Sequence, residues 1–110
     1  MKQGEIWYAN LDLTEGSEQA GFRPVLIASG NLANEFAPVV LCCPITSKIK
    51  NYKGNPILEP DGQNGLKQKS EVMVIHLRSL SKSRLKQKLG SIHPNHIEQI
   101  KQTINDLLNY

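Results

Sequence analysis

The sequence predicts a mainly β domain that ends in one α-helix, and two features of its patterning carry that prediction. Short apolar runs of strand length recur from Glu5 to Ile92, most of them closed by a cluster of turn-forming residues. From His93 onward the apolar residues instead recur at helical spacing. Many short strands followed by a single amphipathic helix imply a small, strongly curved sheet or barrel, with the helix laid against an open face or end. A chain of 110 residues suits one domain over residues 1–110. Such a chain buries roughly two thirds of its unfolded surface, enough for a modest core.

The first strand is predicted over Glu5 to Leu13, an aromatic and branched run that stops at the turn cluster Thr14-Glu15-Gly16-Ser17. Pro24 to Ser29 and Ala37 to Thr46 are compact apolar runs and read as interior strands, separated by Gly30-Asn31 and a stretch with room for a helical turn. After Thr46 the chain turns basic and turn-prone, then offers a short strand around Ile57 and Leu58 between exposed loops. Asp61-Gly62 and Asn64-Gly65 are strong turn signals. Glu71 to Leu80 resumes an apolar run, Ser81 to Lys88 reads as a basic helical or turn segment, and Leu89 to Ile92 as a last brief strand. Five or six strands result. In the terminal helix Ile97, Ile100, Ile104, Leu107 and Leu108 share one side, Glu98, Lys101, Gln102 and Asn105 the other, and Pro94 suits the first turn.

A net charge of +3 and a pI near 9.0 set a mild bias toward anionic partners. Cys42 and Cys43 are adjacent, so on a strand they point to opposite faces and cannot readily bridge each other. They read as packing residues with no reactive role, and a disulfide framework is excluded. No apolar run is long enough to span a bilayer, and the first residues lack the apolar core of a signal peptide. The expected compartment is the cytoplasm, with no membrane contact. Metal-hydrolase, nucleotide-hydrolase and dinucleotide-binding motifs are all missing, and no cofactor or metal is expected.

Loop-borne polar residues remain as candidates. In Gly16 to Pro24, two glycines permit close approach of a ligand, Ser17, Glu18 and Gln19 supply donors and acceptors, and Arg23 supplies a fixed charge. The plain alternative is a surface turn with a local ion pair. Pro24, however, holds the Arg23 backbone extended and so restricts where the guanidinium points. Thr46 and Ser47 stand where a strand hands over to a loop, followed by Lys48 and Lys50; they serve equally as turn formers or as a place to receive a polyanion. If Glu71 to Leu80 is extended throughout, His76 and Arg78 share a face as a phosphate-handling pair. His76 reads either as a proton carrier or as a hydrogen-bonded wall residue. His93 and His96 have metal-ligand spacing, but no nearby acid or cysteine completes a site, so they read as solvated cap residues. Of the aromatic residues, Trp7 and Tyr8 read as core and edge, and Tyr52, set among lysines, as the better platform for a base.

With these pieces located, the chain resembles the MazF/PemK family of toxin ribonucleases from bacterial toxin-antitoxin modules. The resemblance runs nearly end to end through "GEIWYANLD", "GSEQAGFRPVLI", "PITS", "RSLSKSRL" and the closing helix, and the second block is the most specific. It implies an SH3-like barrel of the MazF/CcdB type, a homodimer, and metal-independent, sequence-specific endoribonuclease cleavage of single-stranded RNA at short motifs that inhibits translation and growth. It assigns catalysis to Arg23 and Thr46, and a cognate antitoxin as partner; a flexible acidic and apolar peptide suits a basic groove. One departure is Ile75-His76, where the family often has an acid followed by glutamine. Ser17, Glu18, Gln19, Ser47, Lys48, His76 and Arg78 are then expected to position the RNA strand. Two rival functions share these features: a gyrase-poisoning toxin of the same fold, and a non-catalytic nucleic-acid-binding module driven by Lys48, Lys50, Lys53, Lys82, Arg84, Lys86 and Lys88.

Overall fold

The computed structural model describes residues 1–11 and 21–110. The strands are β1 (Glu5–Asn10), β2 (Phe22–Ile27), β3 (Val39–Thr46), β4 (Ile57–Leu58), β5 (Ser70–Val72), β6 (Arg78–Ser81) and β7 (Leu85–Ser91). A short helix α1 (Asn31–Phe36) precedes β3, and α2 (Pro94–Asn109) closes the chain. One antiparallel sheet runs in the order β4-β5-β3-β2-β1-β7, with β6 also paired to β3. It curves into a half-barrel that α2 packs against, as the strand and helix patterning predicts.

Apolar alternation buries both faces of this sheet. Ile6, Leu26, Cys43, Val72 and Val74 face α2, where Ile100 is buried and Ile97 and Ile104 pack beside it. Val25, Ile27, Val40, Cys42, Leu80 and Leu85 form a second core on the opposite face. Each fully buried Ile or Leu contributes about 2 kcal/mol. The adjacent cysteines fall into different cores, as their spacing predicts. Burial pushes their thiols up, Cys42 to about 11 and Cys43 to about 12, which leaves both protonated and unreactive.

Three expectations about elements are corrected. The apolar run Glu71 to Leu80 is not one strand, because a 3-10 turn at Val74–His76 separates β5 from β6. Both halves still lie along β3, β5 on Ile45 and Thr46 and β6 on Val39 to Cys42. Between them stands Pro44, which accepts from the Met73 N–H at 2.9 Å but has no N–H to return. The Met73 carbonyl accepts instead from the His76 N–H at 3.1 Å, which closes the 3-10 turn, while the Val74 N–H donates to Asn55 Oδ1 at 3.2 Å. Second, only Lys82–Arg84 of the basic segment is helical; Leu85 to Lys88 belongs to β7, which pairs with β1 from Ala9↔Leu85 to Glu5↔Ser91. Third, β1 ends at Asn10, and the remainder of its predicted span beyond Leu11 lies outside the described residues. The described residues thus hold seven strands rather than five or six.

No ladder joins β4 to β7 among the described residues. The turn Gln63 to Gly65 closes that side by lying directly on β7, where the Ser91 N–H donates to the Gln63 carbonyl at 2.9 Å. Gly65, at φ +70°, and Gly90 make this possible: a Cβ on either would strike backbone atoms, the Leu89 carbonyl for Gly65 and the Gln63 carbonyl for Gly90. Close contact here delivers Leu66, Lys67 and Gln68 to the inner rim of the half-barrel. No described helix is long and apolar enough to cross a membrane.

Candidate functional site

Two prolines open the sheet at one place. The β2–β3 ladder ends at the pair Val25↔Pro44, and the next residue of β2 is Pro24, which has no N–H to offer β3. Beyond that pair β3 turns to β5, with which Ile45 and Thr46 pair. Continuing the same register would set Pro24 against Ile45 and Arg23 against Thr46. All four residues border the resulting gap, a cavity of about 580 Å³.

The wall of this cavity carries both charged and neutral polar groups. Arg23 and Thr46, both half-buried, are joined by exposed Ser47 and Lys48 from the loop after β3, and by Lys67. Every charged side chain in the described wall is a cation, with no carboxylate among them. Tyr8 of β1, Gln68, and Gln87 and Leu89 of β7 complete the lining. Thr46 is held by the Lys48 N–H, which donates to its Oγ1 at 3.0 Å. That bond uses a lone pair and leaves the hydroxyl proton for a ligand oxygen.

A buried carboxylate sets the shape of the loop beside Thr46. Glu71, directly across from Thr46 in the β3–β5 register, is fully buried. It accepts from the backbone N–H groups of Lys50 (2.6 Å), Asn51 (2.8 Å) and Tyr52 (2.9 Å), and from Asn55 Nδ2 (2.8 Å). Burial by itself would raise this carboxyl. The bonds from Asn55, Asn51, Lys50 and Tyr52 outweigh it and hold the pKa below the ordinary carboxylate range. The loop that carries Lys48 is further tied to α2 by Thr103, whose hydroxyl donates to the Gly54 carbonyl at 2.6 Å.

Of the residues singled out in the sequence, Arg23, Thr46, Ser47 and Lys48 meet at this cavity. Ser17, Glu18 and Gln19 lie outside the described residues. His76 and Arg78 do not share a strand face: His76 ends the 3-10 turn, Arg78 opens β6 opposite Cys42, and neither lines the cavity. Lys50, Lys53, Lys82, Arg84, Lys86 and Lys88 also lie away from it. Two aromatic readings change places, since Tyr8 borders the cavity while Tyr52, though exposed, does not. Trp7 packs against the second core and donates from Nε1 to Glu5 at 2.9 Å.

Sequence reasoning read Tyr8 only as an edge residue and passed over Lys67, Gln68, Gln87 and Glu71. Gln87 carried no usable signal, because a register shift between Tyr8 and Ala9 leaves Leu85 in the second core while Gln87 and Leu89 line the cavity. Glu71 carried none, being a lone acid at the head of an apolar run. His93 and His96 also differ from expectation. His93 Nε2 lies 3.7 Å from Asp61, so an acid is near in space, and His96 is partly buried with Nδ1 unpartnered. No group of three or more potential ligands close enough to hold a metal ion occurs among the described residues.

Comparison with known proteins places these features in a group. The profile of the family described as PemK-like, MazF-like toxin of type II toxin-antitoxin system matches residues 2–108. Endoribonuclease MazF of Staphylococcus saprophyticus is 30% identical over 106 residues, spanning 96% of this chain and 88% of that one. Endoribonuclease EndoA of Bacillus subtilis is 28% identical, spanning 94% and 90%. Among solved structures, MazF from Deinococcus radiodurans superposes with a TM-score of 0.83 at 27% identity, over 100% of this chain and 97% of that one. A MazE-MazF structure from the same organism gives 0.80 at 28% identity, over 98% and 95%.

Proposed function

The chain belongs to the PemK-like, MazF-like toxin family of type II toxin-antitoxin systems, and on that premise we propose how it acts as an endoribonuclease. It takes single-stranded RNA and cleaves it by attack of a 2′-hydroxyl on the adjacent phosphate. The 2′-oxygen forms a bond to phosphorus as the bond to the 5′-oxygen breaks, one proton leaves the 2′-oxygen, and one is taken up by the departing 5′-oxygen. The products are a 2′,3′-cyclic phosphate and a 5′-hydroxyl end. Cutting messenger RNA in this way stops translation and growth.

Within this reading Arg23 neutralises the negative charge that builds on the phosphoryl oxygens, and Thr46 donates its free hydroxyl proton to the same group. Ser47 and Lys48 hold the neighbouring backbone. The observation that carries the reading is the convergence of Arg23 and Thr46 on one cavity whose described charged groups are all cations. No step is routed through a metal, because that wall offers hydroxyls, amides and cations but none of the carboxylates that hold hard divalent ions. Ser17, Glu18 and Gln19, which lie outside the described residues, and His76 and Arg78, which do not line the cavity, remain assigned to RNA positioning.

The toxin is proposed to act in the cytoplasm as a homodimer and to be neutralised by a cognate antitoxin, as the paired MazE-MazF structure of a relative supports. Exposed Leu32 and Phe36, one turn apart on α1, and Val39 and Leu41 on the strand that follows supply an apolar surface for the second copy. The deciding assay incubates labelled RNA with the purified protein in excess EDTA. Discrete fragments bearing 5′-hydroxyl ends are expected. Intact RNA with shifted mobility would point to a binding module, and intact RNA without a shift to a protein target.

A further inference from the structure

We infer that Tyr8, Gln68 and Gln87 form a nucleobase subsite in the cavity, where the two glutamines read the edge of a base next to the scissile phosphate and Tyr8 supports its face. The inference rests on the endoribonuclease reading above and assigns the residues behind the sequence preference that the family resemblance implies.

Register places these side chains. Tyr8 pairs with Gln87 on one side and Pro24 on the other, so the three stand in one row on one face across β7, β1 and β2. The Tyr8 ring is stacked on Phe22, with centroids 5.7 Å apart and planes 21° from parallel, which fixes its orientation. Gln68 arrives from the other direction, on the segment that Gly65 and Gly90 press against β7. Both glutamines are exposed, and among the described residues no partner engages either side-chain amide or the Tyr8 hydroxyl.

The chemistry of these three side chains differs from that of Arg23, Thr46 and Lys48. A phosphate calls for cations and hydroxyl donors, which are already gathered there. A carboxamide instead presents one donor and one acceptor side by side, the pattern that matches the edge of a base, while an aromatic face accepts the flat surface of any base. The cavity volume of about 580 Å³ lies in the range that encloses a small organic ligand, far more than one phosphate group fills.

The test digests an RNA pool with randomised sequence and reads the fragment ends. The parent protein is expected to favour one base at a position flanking the cut. Gln87→Ala and Gln68→Ala are expected to reduce that preference about tenfold at that position, the worth of a good amide-base pair, with preferences elsewhere retained. Oligonucleotides carrying a 2′-methoxy group at the scissile nucleotide give the same comparison by fluorescence anisotropy, so discrimination is measured even where turnover falls. Unchanged preference in both variants, in either readout, overturns the subsite while leaving the nuclease intact, and so does a parent that cuts every sequence alike. A parent that cuts no RNA sinks the nuclease reading itself, and the subsite with it.

Discussion

Arg23 and Thr46 stand at facing positions of adjacent strands, two residues past the last β2–β3 pair, Val25↔Pro44, where the ladder has parted and a cavity has taken its place. Strand backbones hold both residues, so their side chains converge without a loop having to order first. Preorganisation of this kind is what gives electrostatic donors their effect on rate.

Arg23→Ala should lower the cleavage rate by about 10² to 10³ without changing the thermal unfolding midpoint. Thr46→Val, which keeps the shape and removes the donor, should also lose most activity, while Thr46→Ser retains it. Single-turnover assays on a labelled oligonucleotide measure both. Parental rates in Arg23→Ala would remove the guanidinium from the mechanism.

Glu71 predicts an acid limb of stability. Its folded-state pKa lies below that of the unfolded chain, about 4.3, so the unfolded chain takes up the proton first as pH falls. The contribution is complete above about pH 5 and is lost as the pH drops through the folded value. Glu71→Gln exchanges an acceptor for an amide that meets several N–H donors, and should cost roughly 3 kcal/mol at neutral pH through the donors left unpaired. Urea titrations from pH 3 to 7 should show this variant with a flatter acid limb than the parent.

Gly90→Ala and Gly65→Ala should each destabilise the fold by roughly 1 to 3 kcal/mol, because the added methyl drives the turn off β7. Gly62→Ala, with nothing within 4 Å of the new Cβ, should be nearly neutral. Chemical denaturation midpoints decide it. In the two damaging variants the shift of Lys67 and Gln68 should weaken RNA binding as well.

Phe36, 75% exposed on α1, should matter to assembly and little to folding. Light scattering should give the parent a mass of two chains and Phe36→Glu a mass near one. A parent that runs as a single chain would remove the proposed dimer.

Much of this molecule was legible in the chain itself. The change of period at His93 and Pro94 announced α2, the compact apolar and branched runs announced β1, β2 and β3, and the spacing of Cys42 and Cys43 announced that they part. Each of these is a local rule, acting over a turn of helix or a few residues of strand. Arg23, Thr46, Ser47 and Lys48 were also visible as candidates, because each stands at a strand-loop junction beside a proline, a hydroxyl or another cation.

What the tertiary structure alone decided is where strands stop pairing and what then faces the opening. The chain coils after Met73 because Pro44, across the sheet, has no N–H for the Met73 carbonyl, which takes the His76 N–H instead. Lys86 to Lys88 extends because β1 offers it a full edge. Glu71 keeps its charge in the interior only because a loop about twenty residues earlier folds back to surround it with N–H groups. Tyr8, Gln68 and Gln87 gather at one cavity although the chain holds them far apart, since a curved sheet brings together residues by register and closure, and neither is written in the run of amino acids on either side.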